Sequence, residues 1–267
     1  MDEEIKTANP LGYQKISKLL RSLAIPAIIA NLVNALYNVV DQIFIGQGIG
    51  YLGNAATNIA FPITTICLAI GLTLGIGGAS NFNLELGKGN PEKSKHTAGT
   101  AASTLIIIGI ILCISIRIFL EPLMISFGAT DKILQYAMEY TGITSYGIPF
   151  LLFSIGVNPL VRADGNARYS MMAIIVGAVL NTILDPLFMF VFHWGIAGAA
   201  WATVISQVVS ASLLLIYFPR FKSVKFSLND FIPQVHYLKR IISLGFASFI
   251  YQFSNMIVLI TTNNLLK

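Results

Sequence analysis

Seven stretches of this chain are each long and apolar enough to cross a lipid bilayer as a helix. They run from Leu23 to Ile45, Ala56 to Asn81, Thr97 to Phe119, Met138 to Asn158, Ser170 to Phe192, Gly195 to Phe218 and Ile241 to Leu266. A hydrocarbon core ~30 Å thick needs about 20 apolar residues in helical form, whereas a barrel strand needs only ~9–11 alternating ones. No alternation runs through these stretches, so the fold class is all-α, a polytopic membrane bundle. With 11% charged residues the chain falls far below the roughly 25% of soluble domains.

The net charge of +5 is spread between the apolar runs and forms no patch for a nucleic acid. It speaks instead to topology. Lys6, Lys15, Lys18 and Arg21 precede the first run, Lys88, Lys93 and Lys95 follow the second, and Arg162 and Arg168 follow the fourth. Arg220, Lys222, Lys225, Lys239 and Arg240 follow the sixth, against Arg117 and Lys132 on the other side and Lys267 at the end. The positive-inside rule then puts the N-terminus in the cytoplasm of a multi-pass inner-membrane protein. The first twenty residues lack an apolar stretch with a cleavage site, so no cleaved signal peptide is expected. Cys67 and Cys113 lie in apolar runs with no metal-site spacing and read as core residues.

Three units are expected. Residues 1–220 make a six-helix lobe, residues 221–240 a cytoplasmic linker with an interfacial helix, and residues 241–267 the first helix of an incomplete second lobe. Six helices, a linker and one further span is the pattern of a two-lobed transporter cut after its seventh span. A genuine seven-span protein is the alternative.

Two aspartates stand inside the apolar runs. A charged group there costs at least ~2.5–3.5 kcal/mol on insertion scales, so it faces a cavity and carries function. Asp41 lies twenty residues beyond Arg21 and Asp185 seventeen beyond Arg168, roughly 30 and 25 Å along outward-running helices. The two carboxylates therefore reach similar depth in the outer half. Each belongs to a polar face: Asn31, Asn34, Asn38 and Asp41 at helical spacing, with Tyr37 a turn before, and Gly177, Asn181 and Asp185 likewise. Thr203, Ser206, Gln207 and Ser210 form a third such stripe and Tyr140 with Thr144 a shorter one. Asn158 closes the fourth run and counts with this cavity network. Thr144, Ser206 and Ser210 also fit a plainer role as interhelical glue.

Carboxylate, amide and hydroxyl oxygens suit a proton or a hard monovalent cation such as sodium. Two carboxyls close together in a dry site can share a proton near neutral pH. Pro186, following Asp185, removes a backbone donor and marks a place for the helix to kink, and Pro26 does the same in the first helix. Gly71, Gly75 and Gly78, and Gly195 and Gly198, allow close helix approach. The stretch GLTLGIGG lacks the Lys and Ser/Thr of a phosphate-binding loop. His96 and His236 fall in polar loops and His193 at the outer boundary, where each is expected to be solvated or interfacial. RADGNARYS reads as a cytoplasmic turn with local hydrogen bonds.

The stretches NALYNVVDQIFIGQ, RADGNARYSM, LNTILDPLFMF and GIAGAAWATVISQ together resemble the multidrug and toxic compound extrusion (MATE) transporters of bacteria and archaea. The resemblance implies two six-helix lobes and exchange of protons or sodium for amphipathic, often cationic, small compounds, with no cofactor besides the coupling ion. It implies that Asp41 and Asp185 are cation-coupling carboxylates, with Asn181 and Thr203 as further oxygen ligands, for a possible sodium as well. Tyr37 and Tyr140 match aromatic residues of the same cavity network. A C-terminal lobe is expected in the full-length protein, because the sequence ends after the seventh run.

The alternatives are a lipid-linked oligosaccharide flippase of related architecture, a nonfunctional truncated product, and an intramembrane enzyme. A flippase handling large anions needs cavity Arg or Lys, and none falls in the first, second, fourth, fifth or sixth run. An enzyme needs a catalytic motif beside the aspartate pair, and none accompanies it, so the chain is not read as an enzyme.

Overall fold

A computed structural model describes residues 15–265, and all regular structure among them is helical. The helices are α1 (Ile16–Ile49), α2 (Tyr51–Gly87), α3 (Pro91–Ile118), α4 (Leu120–Ser126), α5 (Asp131–Thr144), α6 (Ile148–Ala163), α7 (Ala167–Pro186), α8 (Gly195–Tyr217) and α9 (Val235–Leu265). Among the described residues six spans are long and apolar enough to cross a membrane, α5 and α6 forming one through a 3-10 turn at Ser145–Gly147, and α9, which carries the seventh run, is not among the six. The first fourteen residues, with Lys6, and Leu266 of the seventh run lie outside the described residues.

Several helices overrun their apolar cores. Tyr51 opens α2 five residues before Ala56, because only Gly50 separates it from α1. Gly50 adopts φ 82°, a left-handed conformation that a side chain would resist, and this permits the immediate reversal. Helix α7 runs to Pro186, whose missing N–H removes one i→i−4 bond from its last turn, and a π-type turn at Leu187–Val191 follows.

The core is apolar, and large apolar side chains cover much of the outer surface as well. Helix α3 exposes Ile107, Ile110, Ile111 and Ile114 on one face, where lipid would lie, and buries Thr97, Thr100 and Thr104. Asn81 of α2 donates to Thr97 Oγ1 at 2.8 Å, joining two helices through a polar contact that hydrocarbon cannot replace. The glycines set the closest approaches. A Cβ on Gly75 would come within 2.6 Å of the Gly156 carbonyl oxygen, so α2 and α6 meet backbone to backbone.

Helix α1 packs on α7, α7 on α8, and α5 on both α2 and α8. These pairings bring the polar faces of α1, α7 and α8 to one interior. Helix α9 lies along α2. Between α8 and α9 the chain forms short 3-10 helices at Phe218–Arg220 and Leu228–Phe231. Asp164 anchors this segment: fully buried, its carboxylate accepts from Tyr217 Oη at 2.8 Å, Lys222 N–H at 2.9 Å and Ser223 N–H at 2.9 Å. The turn RADGN is thus tied to the linker as well as to itself. His96 differs from its sequence expectation. It sits half-buried in the first turns of α3, 3.2 Å from Asp230 Oδ1 and stacked on Tyr237, because the linker folds back over it.

Candidate functional site

Helices α1 and α7 bring Asp41 and Asp185 together, and the two side chains come within hydrogen-bonding reach of each other. Asp41 is 8% exposed and Asp185 fully buried. The depth arithmetic is therefore met by contact. Around them, Gln42 Nε2 donates to Asp41 Oδ2 at 3.4 Å and Thr57 Oγ1 donates to Gln42 Oε1 at 3.2 Å. Asn181 Nδ2 donates to Asp185 Oδ1 at 3.2 Å. Asp41 Oδ1, Asp185 Oδ2 and Asn181 Oδ1 are buried with no hydrogen-bond donor among the described residues.

Buried polar atoms are nearly always paired, so three orphaned oxygens in one locale need an explanation. Two carboxyls this close repel unless a proton or a cation lies between them. The donor set fits either: hard oxygens with no sulfur or imidazole. Among the described residues no group of three or more His, Cys, Asp or Glu side chains could hold a metal ion.

Tyr37 stands beside both aspartates, and Tyr140 hydrogen-bonds Thr203 behind them, joining α5 to α8. Below this layer opens a cavity of about 390 Å³ between α1, α2, α6, α7, α8 and α9. Asn34, Tyr37, Asn158, Asn181 and Thr203 line it; Tyr140 and the aspartates do not. Asn158 also holds helices together, since Ser170 Oγ donates to its Oδ1 at 2.8 Å and its Nδ2 donates to the Ser170 carbonyl at 3.0 Å. Ser210 donates to the Ala173 carbonyl at 3.1 Å, the glue role expected of it, and Thr144 bonds its own helix at Tyr140. Ser206 lines the cavity with its hydroxyl unpartnered among the described residues.

Several cavity or site residues escaped the sequence reading, Gln42, Thr57 and Arg162 among them. Gln42 and Thr57 adjoin the aspartates, but a single Gln next to an Asp and a Thr on a glycine-rich span give no distinctive spacing. Arg162 lines the cavity although it lies four residues past the fourth apolar run, because the cavity extends beyond the runs toward the end where Lys and Arg gather. No Arg or Lys falls within the first, second, fourth, fifth or sixth run, yet the cavity holds one beyond them.

A family model described as MatE matches residues 26–187. Multidrug export protein MepA of Staphylococcus haemolyticus is 25% identical over 240 residues, covering 88% of this chain and 52% of that protein. Probable multidrug resistance protein YoeA of Bacillus subtilis is 28% identical over 219 residues, covering 78% and 47%. Among solved structures, a MOP superfamily transporter from Pyrococcus furiosus superposes with TM-score 0.85 at 28% identity, covering 96% of this chain and 56% of that one. A MATE protein in complex with MaL6 gives TM-score 0.88 at 28% identity, covering 98% and 58%. The chain spans about half the length of the relatives it matches. By name those relatives are export proteins and transporters, not enzymes.

Proposed function

Since the chain belongs to the MATE family, we propose that it forms the N-terminal lobe of a cation-coupled antiporter exporting amphipathic, often cationic, compounds across the cytoplasmic membrane. In this reading the N-terminus lies in the cytoplasm, which the distribution of Lys and Arg supports. A second lobe, corresponding to the length of the relatives that this chain does not span, completes the transport path.

The carrying observation is the buried Asp41–Asp185 contact with its orphaned oxygens, set above a cavity of substrate size. A proton or sodium ion arriving from outside relieves the repulsion of the pair. Asn181 Oδ1 supplies a further oxygen, with Thr203 one helix away. Relief of repulsion changes how α1 rests on α7. Because Pro26, Asn31, Asn34 and Tyr37 of α1 line the cavity, that movement alters the space available to substrate. Ion binding and substrate binding thereby oppose each other, which is the thermodynamic requirement of exchange.

The test is efflux of a fluorescent lipophilic cation from cells expressing a transporter of the relatives' full length with this chain as its N-terminal half. Asp41→Asn and Asp185→Asn are each expected to lower gradient-driven efflux about tenfold or more, the loss of a charge-assisted contact. Unchanged efflux in both variants would sink the mechanism. Repeating the assay with sodium replaced by choline separates sodium from proton coupling.

A further inference from the structure

Among the described residues that line the cavity, Arg162 is the one charged side chain. It stands one turn beyond Asn158 on α6, at the basic end, and its guanidinium makes no hydrogen bond or ion pair among the described residues. The nearest carboxylate in sequence, Asp164, is committed to Tyr217 and to the backbone of Lys222 and Ser223. The aspartate pair is remote. Asn158 bonds Ser170, and fifteen residues of α7 separate Ser170 from Asp185, roughly 22 Å along the axis.

A half-buried arginine lining a largely apolar cavity, its guanidinium unpartnered among the described residues, is a binding element waiting for its counterpart. Its planar fork of donors matches one carboxylate or a comparable oxyanion bidentately, and a lone cation gains nothing from it. One such group does not balance a pyrophosphate, whose charge calls for several.

We infer that Arg162 selects substrates bearing a single carboxylate or comparable anionic group, zwitterionic where an amine is also present, and that it orients this group toward the cytoplasmic end of the cavity. This rests on the export reading above and narrows its substrate class. The apolar body of such a compound is left to the apolar walls, and an amine to the amide and hydroxyl side chains of the cavity.

Fluorescence titration of the full purified chain in detergent tests it, with dansyl-phenylalanine and its methyl ester as probes that differ by one negative charge. The acid is expected to bind about tenfold or more tighter than the ester, the gain of a charge-assisted contact. Arg162→Gln is expected to bring the acid down to the ester's affinity while leaving the ester unchanged, which also reports an intact cavity. Arg162→Lys is expected to retain part of the preference. Equal binding of acid and ester by the wild type, preference for the ester, or an acid preference that survives in Arg162→Gln overturns the inference and leaves the export reading standing. Binding of neither probe overturns the cavity itself, and the inference with it.

Discussion

Gly77 on α2 lies against the carbonyl of Ile241 on α9 so closely that a methyl group added to the glycine would overlap the oxygen. One turn away Gly245 of α9 meets the Thr73 carbonyl in the same manner. Two glycines therefore let the backbones of the helices touch, where dispersion contacts are the main attraction available inside a membrane. Valine at either position has to push α9 away. Gly77→Val and Gly245→Val are expected to destabilise by about 1–3 kcal/mol, as overpacking does. Thermal unfolding in detergent measures this, with Gly87→Ala as the control, since nothing lies within 4 Å of a Cβ there.

Asp164 makes a second, sharper prediction. Removing its carboxylate takes a buried acceptor from the Tyr217 hydroxyl and a part-buried one from the N–H groups of Lys222 and Ser223. Asp164→Ala is expected to cost about 3 kcal/mol, since losing a buried acceptor forfeits ~1–3 kcal/mol and the part-buried contacts add to it. Trypsin cleavage after Lys222 and Lys225 should accelerate relative to the wild type. Asp164→Asn, which keeps the shape and one acceptor oxygen, should fall between the two.

Asp41 and Asp185 were legible in the sequence because a carboxylate among apolar residues is costly enough to stand out, and because helical rise converts chain position into depth. Asn34, Tyr37 and Asn181 followed from spacing alone. Arg162 was hidden by the same logic: hydropathy marks where hydrocarbon ends, and a cavity need not end there. The contact of α9 with α2 was equally illegible, since Gly77 and Gly245 are ordinary glycines until the helices are set side by side. Asp164 read as a loop residue because nothing in RADGNARYS reveals that a segment some sixty residues later donates to it.

Asn158 and Ser170 exchange two hydrogen bonds between α6 and α7 on the wall of the cavity. A double-mutant cycle with Asn158→Leu and Ser170→Ala is expected to show a coupling of about 0.5–1.5 kcal/mol in unfolding free energy. Zero coupling would mean that the contact is replaced by lipid or water when either partner is lost. In that case Asn158 serves the cavity and not the packing.

The aspartate pair itself yields a prediction in which stability and function move apart. At neutral pH the folded chain holds two acids in contact, each with one oxygen lacking a donor. Asn in place of either keeps the volume, removes the mutual repulsion and offers an N–H₂ to the orphaned oxygen opposite. Asp41→Asn and Asp185→Asn are thus expected to unfold at the same temperature as the wild type or a higher one, a gain of up to about 1 kcal/mol typical of relieving a functional site. Structural glue behaves otherwise: were the carboxylates there to hold α1 on α7, either substitution would lower the unfolding temperature. Thermal unfolding of both single variants in neutral detergent solution decides between the two, and a fall of several degrees in both would remove the functional reading of the pair.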